Sequence, residues 1–200
     1  MVWYDFGQKK ISNLFRLNEK AANLDFCKEN GYVAYTVESN LCIAHEGEKD
    51  LQINPDEKKA DPMDIVYGQA VHRNEFGIYK GTFWSPKGNC LAFYRMDQSM
   101  VTAYPQVNTT TRIATLEPDK YPMAGMTSHK VTVGVYHIQS GKTVYLQAGD
   151  PTDRYFTNIS WSPDEKSIYV IELNRDQNHS QLVRYNAETG CLLYTSDAAD

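Results

Sequence analysis

The feature that most restricts how this 200-residue chain can fold is a pair of short motifs that return in fixed order. One is aromatic. Trp84-Ser-Pro-Lys-Gly-Asn-Cys-Leu-Ala-Phe93 comes back as Trp161-Ser-Pro-Asp-Glu-Lys-Ser-Ile-Tyr-Val170, with a worn copy in Phe26-Cys-Lys-Glu-Asn-Gly-Tyr-Val-Ala-Tyr35. The other is Tyr136-His-Ile-Gln-Ser-Gly141, echoed by Tyr185-Asn-Ala-Glu-Thr-Gly190 and loosely by Tyr4-Asp-Phe-Gly-Gln8. Wherever the order can be checked, the tyrosine motif precedes the aromatic one. Such self-similarity marks one supersecondary unit repeated along the chain.

The segments between the motifs are short, rich in Val, Tyr, Thr and Ile, and bounded by turn residues. No window sustains a 3.6-residue period beyond two turns, so the chain reads as all-β. The proline after each Trp-Ser fixes φ and removes a ladder donor, which ends one strand and sets a tight turn into the next. A four-stranded blade has two apolar faces and cannot hide both alone; packed radially beside copies of itself, it can. Residues 1–190 are therefore expected to form part of a β-propeller, roughly three four-stranded blades, with one short helical turn near residues 71–76. A closed ring typically has about 4–8 blades, so the chain reads as a fragment of a larger domain. Strands are expected at 2–6, 11–17, 24–26, 32–37, 40–44, 104–108, 111–116, 131–138, 143–147, 157–161, 167–173 and 182–185. Residues 46–64 read as a polar surface loop and 117–120 as a turn. The last ten residues, CLLYTSDAAD, resemble the conceptual translation of a sequencing adapter and are left outside the expected fold.

Composition excludes several classes. A hydrophobic fraction of 42% with 22% charged residues is that of a folded globular chain rather than a disordered one. No apolar run approaches the ~20 residues of a membrane-spanning helix. Residues 2–10 lack the basic-then-apolar layout of a signal peptide. The net charge of -5, without a basic run, argues against a nucleic-acid partner. Outside the tail, Cys27, Cys42 and Cys90 lack CxxC spacing and read as small buried hydrophobes, not as a zinc site or a disulfide framework. His45-Glu46 is not a zinc motif, because Lys49 stands where the second histidine would be. No metal or cofactor is expected, and His72, His129, His137 and His179 are too scattered to argue a base–nucleophile pair. Trp84 and Trp161 recur at equivalent places and read as core packing. The cluster Gln177-Asn178-His179-Ser180 reads as turn chemistry.

The segment that never recurs is residues 71–76, VHRNEF, directly before the first Trp-Ser-Pro. Together with His72-Arg-Asn-Glu-Phe-Gly-Ile78, the segments Gly81-Thr-Phe-Trp-Ser-Pro-Lys-Gly88, Leu91-Ala-Phe-Tyr-Arg-Met-Asp97, Tyr121-Pro-Met-Ala-Gly125, Phe156-Thr-Asn-Ile-Ser-Trp-Ser-Pro163 and Asn174-Arg-Asp-Gln-Asn-His-Ser180 give the chain a specific likeness. Over about residues 3–190 it resembles the propeller domain of the dipeptidyl peptidase IV branch of the prolyl oligopeptidase family, and within that the bacterial prolyl tripeptidyl peptidases. The resemblance implies a propeller followed by an α/β-hydrolase domain with a Ser-Asp-His triad on a G-x-S-x-G elbow. No G-x-S-x-G occurs in these residues, so no catalytic residue is expected here and the chain alone should hydrolyse nothing.

By the same resemblance, Glu75 would bind the free α-amino group of a peptide substrate, with Asn74 and Arg73 beside it. Arg73 either orients Glu75 or faces solvent. The dipeptidyl pattern has adjacent glutamates; here Asn74 precedes Glu75, so one carboxylate is supplied. The implied partners are a peptide with a free N-terminus, the hydrolase domain and a second copy of the full-length protein as a homodimer. The implied location is the periplasm or cell surface. The alternative is a non-catalytic propeller that serves as a binding module.

Overall fold

The computed structural model describes residues 2–14, 17–55 and 61–197, and nearly every element in them is a β-strand. A hairpin of β1 (Val2–Asp5) and β2 (Lys10–Leu14) comes first. A four-stranded antiparallel sheet follows, with β3 (Ala21–Phe26), β4 (Val33–Val37), β5 (Asn40–Ala44) and β6 (Leu51–Gln52) side by side in chain order. In the second sheet, β7 (Ile65–Tyr67) and β8 (Thr82–Trp84) both pair with β9 (Cys90–Asp97). An arm of short strands then leaves the sheet: β10 (Ala103–Tyr104), β11 (Val107–Asn108), β12 (Thr115–Leu116) and β13 (Asp119–Lys120). The chain returns through β14 (Lys130–His137), which pairs with β9, and β15 (Lys142–Tyr145). The third sheet is β16 (Arg154–Trp161), β17 (Ser167–Asn174), β18 (Ser180–Asn186) and β19 (Leu192–Asp197), again in chain order. This is the sequential antiparallel pattern expected of propeller blades.

The repeated motifs fall on equivalent corners. The aromatic motif ends the first strand of a sheet and turns into the second. In one copy Ser85 N–H donates to Cys90 O, Gly88 N–H to Ser85 O, and Cys90 N–H to Ser85 Oγ, each at 2.9 Å. Ser162, Glu165 and Ser167 repeat the same three bonds at 2.9, 2.9 and 3.0 Å. The serine hydroxyl therefore closes the turn that proline opens, satisfying a backbone donor that would otherwise be buried without a partner. The tyrosine motif sits at the turn from third to fourth strand. Gly141 N–H bonds His137 O and Gly190 N–H bonds Asn186 O, both at 2.9 Å. Tyr4 occupies the matching place at the end of β1.

Each motif tryptophan is half-buried, packs against a core cluster, and reaches back to the preceding sheet. Trp84 Nε1–H donates to Asp25 O and Trp161 Nε1–H to Phe83 O, both at 3.0 Å. The core runs through these interfaces: one buried cluster joins Ala92, Tyr94 and Val135 of the second sheet to Phe156, Ile168 and Val183 of the third.

Several expectations change: the strand expected at 104–108 is split into β10 and β11, and that expected at 111–116 is reduced to β12. Residues 46–64 contain a short strand, β6, and residues 117–120 contain β13, because two-residue strands carry no periodicity to read. Leu192–Asp197, left outside the expected fold, pairs along β18 as a fourth strand. The helical turn is a 3-10 turn at His72–Asn74, with φ of 51°, 56° and 61°, so its hand is left rather than right. The cluster around Asn178 is a corner as expected, with Asn174 Oδ1 accepting from the N–H groups of Asn178 and His179.

Candidate functional site

The left-handed turn stands on an excursion from the second sheet that begins and ends at one residue. Tyr67 pairs with Arg95 and Thr82 with Phe93, so β7 and β8 flank Tyr94 on the same ladder. Gly68 N–H donates to Tyr94 O at 2.9 Å, and Tyr94 N–H donates to Gly81 O at 3.0 Å. Residues 69–80 are thus looped out opposite a single residue, as a very large bulge. The two ends nearly touch: a Cβ on Gly81 would lie 2.2 Å from Gln69 O, so only glycine fits there. Tyr94 also donates its hydroxyl to Phe156 O, 2.7 Å away on β16, which ties the base of the excursion to the next sheet.

The excursion is pinned by its apolar stems. Val71 and Ile78 are buried in the core cluster, while Arg73, Asn74 and Glu75 are exposed at the tip. Backbone bonds of 3.1 Å from Asn74 N–H to Val71 O and from Glu75 N–H to His72 O close the turn. Three consecutive non-glycine residues in the left-handed region cost roughly 1–2 kcal/mol each, so the surrounding contacts must impose this shape.

Those contacts are aromatic and polar. His72 is buried, with Nδ1 2.9 Å from Nε2 of buried His129, and the two rings stack at 4.9 Å. Phe156 N–H reaches His72 Nε2 at 3.4 Å. A neutral His72 that accepts at Nε2 carries its hydrogen on Nδ1 and donates it to His129 Nε2; this tautomer follows from the network. Burial lowers His72 to about 3, with His129 beside it adding to the effect. Burial also lowers His129 to about 4, helped by the charges of Arg73 and Arg175. On the other side of Glu75, Phe76 stacks on Tyr155 of β16 at 4.8 Å, and Tyr155 meets the His72 ring edge-on at 4.7 Å.

Glu75 lines a cavity of about 170 Å³ together with Arg73, Phe76, Tyr121, Tyr155 and Arg175. Arg73, exposed at the tip, bonds Asp119 of the arm at 3.1 Å and lies 4.7 Å over the Tyr121 ring. Arg175 is paired with Asp153 at 2.8 Å and donates to Met126 O. Each guanidinium on the cavity wall has its own carboxylate. Glu75 is exposed and has no ion-pair partner among the described residues. Asn74 lines the neighbouring cavity of about 350 Å³ instead, which separates it from Glu75. Burial, opposed by Arg175 and reinforced by the charge of Glu75, raises the Tyr155 hydroxyl, which stays protonated.

A larger cavity, about 510 Å³, lies elsewhere, at the corner between the second and third sheets near Cys90, His137 and Glu165. Burial pushes the Cys90 thiol up to about 11, so it sits 3.3 Å from His137 Nδ1 as a neutral thiol and not as a nucleophile. Among the described residues no three His, Cys, Asp or Glu side chains converge as a metal site. The pairing of His72 with His129 escaped the sequence reading, because the two stand on different elements with the arm between them. The one signal was that His72 opens the segment that never recurs.

Comparison with known proteins agrees with this architecture. Residues 1–198 match the family described as the dipeptidyl peptidase IV (DPP IV) N-terminal region. The chain superposes on a protein assigned as dipeptidyl aminopeptidase IV from Bacteroides ovatus with a TM-score of 0.85 and 54% identity, over 97% of this chain and 26% of that one. It shares its fold with Porphyromonas gingivalis dipeptidyl peptidase 4 at a TM-score of 0.80 and 21% identity, over 98% of this chain and 28% of that one. A dipeptidyl-aminopeptidase B assigned in Phaeosphaeria nodorum is 27% identical over 79% of this chain and 19% of its own length. The chain thus spans about a fifth of such curated relatives and about a quarter of these solved chains. Its repeated corners, its sequential sheets and the match along nearly its whole length place the chain in the dipeptidyl peptidase IV family, within the N-terminal region.

Proposed function

We propose that this chain is the substrate-selecting propeller part of a longer serine exopeptidase that releases di- or tripeptides after proline from free N-termini. The observation that carries the proposal is Glu75. It is an exposed carboxylate on a strained turn with buried stems, left without an ion-pair partner among the described residues, while Arg73 and Arg175 on the same wall are each matched by a carboxylate. An α-ammonium group suits such a place. It can donate a charge-assisted bond to the carboxylate and lie beside the Phe76 and Tyr155 rings.

In this reading a hydrolase domain elsewhere in the full-length protein carries the Ser-Asp-His triad. Its serine attacks the carbonyl after proline, and the distance from that serine to Glu75 gauges how many residues are released. Asn74 stands where the dipeptidyl pattern has a second glutamate, and it lines a different cavity. One carboxylate favours tripeptide release, with a second amine contact from the hydrolase domain. The reading also includes export to the periplasm or cell surface, and a homodimer. The arm, with Val107, Ile113 and Leu116 exposed, is a surface available for that contact.

The test is Glu75→Gln in the complete enzyme. Turnover (kcat/KM) of peptides with a free N-terminus should fall on the order of tenfold or more, and blocked peptides should be cleaved nearly as before. Equal loss on both would refute the amine anchor.

A further inference from the structure

We infer that the buried His72–His129 pair is a positioning device, which locks the left-handed turn against β14 and β16 and so fixes where Glu75 presents its carboxylate. The inference rests on the amine-anchor reading above. His72 opens the turn three residues before Glu75, and its carbonyl accepts the Glu75 N–H at 3.1 Å. Any shift of the His72 ring therefore moves the acceptor that holds the Glu75 backbone.

The ring is held on every polar atom. Its Nε2 accepts from Phe156 of β16, and its Nδ1 donates to His129, the residue just before Lys130 begins β14. Tyr155 carries the restraint past Glu75, touching the His72 ring on one side and stacking on Phe76 on the other. The residues flanking Glu75 are thus clamped to a neighbouring sheet, while Glu75 itself is left exposed. In the tautomer set by Phe156, the Nε2 lone pairs of both rings are in use, so neither ring offers Nε2 to a further proton or a metal. Stacked, buried and neutral, the pair has the features of a support. A misplacement of about 1 Å in a substrate-positioning group can cost on the order of 100-fold in rate, so a support of this kind has leverage.

The test compares His129→Phe with His129→Gln in the complete enzyme, because His129 has no left-handed backbone to confuse the result. Phenylalanine keeps the ring and its stacking but offers no acceptor to His72 Nδ1–H; glutamine offers an oxygen. H129F should lower the ratio of kcat/KM for free over blocked peptides roughly tenfold, mainly through KM for the free peptide. H129Q should keep that ratio within about threefold. An unchanged ratio in H129F, or the same loss in H129Q, would overturn the inference. So would equal loss on both substrates, which marks a merely structural role.

Glu75→Gln run in parallel separates the two claims. If it leaves the ratio unchanged, the amine anchor fails and the inference falls with it; if it collapses the ratio while H129F does not, only the inference fails. A second measurement needs no variant. Imidazole nitrogen resonances at pH 7 should show both rings neutral with the hydrogen on Nδ1, and a hydrogen on Nε2 of either ring would also overturn the inference.

Discussion

Glu165 joins the Trp-Ser-Pro corner of the third sheet to that of the second, and its removal gives the sharpest test of how the two sheets are held together. Its carboxylate accepts from Ser85 Oγ, Lys87 N–H and Asn89 Nδ2, each at 2.6 Å. Burial pushes this carboxyl up, but the hydrogen bonds from Ser85, Asn89 and Lys87 outweigh it, and the group is held below its usual range. In Glu165→Ala, Lys87 and Asn89 are exposed and regain water, so they add little. Ser85 is 2% exposed, and its hydroxyl hydrogen loses its acceptor. One orphaned buried donor plus one charge-assisted bond comes to about 2–3 kcal/mol. For a chain of this length that is a fall in Tm of roughly 4–12 °C.

The assay is thermal and urea unfolding of the protein at pH 7, with Ser85→Ala and the double variant completing a cycle. The two single changes should be strongly non-additive. The contribution is present above the ordinary carboxylate value and lost as pH falls through the lowered value in the folded protein, so part of the acid sensitivity should vanish in Glu165→Ala. A loss below about 0.5 kcal/mol, or strict additivity with Ser85→Ala, would refute the latch.

Two further outcomes follow from other contacts. His72 and His129 are lowered in the folded protein to about 3 and about 4, below the ordinary histidine value, so the stability they contribute is present above about pH 6.5 and is lost as pH falls through those values. Urea unfolding between pH 7 and pH 4.5 should show this loss, and His129→Phe should flatten it; an identical slope in the variant would count against the neutral pair. Gly134 faces Phe93 across the β14–β9 ladder, and a Cβ there would lie 2.5 Å from Phe93 Cζ. Gly134→Ala should therefore cost roughly 1–3 kcal/mol by calorimetry, and Phe93→Leu should recover part of it. No recovery would mean that the clash is relieved elsewhere.

The repeat was legible because turn chemistry is local. Ser-Pro after a tryptophan and Ser-Gly or Thr-Gly after a tyrosine each specify a corner with neighbours only a few residues away, and those corners lie at equivalent strand junctions. The serine hydroxyl bond within the corner, and the tryptophan N–H donated to the preceding sheet, could not be read. Both depend on which atoms the completed turn brings within 3 Å. Two-residue strands such as β6 and β13 were invisible for a different reason: pairing, not pattern, makes them strands.

Glu75 was reached through resemblance, and the sequence alone left Arg73 between two roles. The structure gives Arg73 to Asp119, a residue of the arm 46 positions away. His72 and Asn74 are types that tolerate the left-handed region, but three such residues in succession are costly, and propensity does not announce the run. What the order of residues determined by itself was the succession of strands and corners, since each follows from chemistry within reach of a single turn. The hand of the excursion, its origin opposite Tyr94 and the union of His72 with His129 were decided only when separate sheets packed together, because a strained loop keeps its shape only while distant groups hold it there.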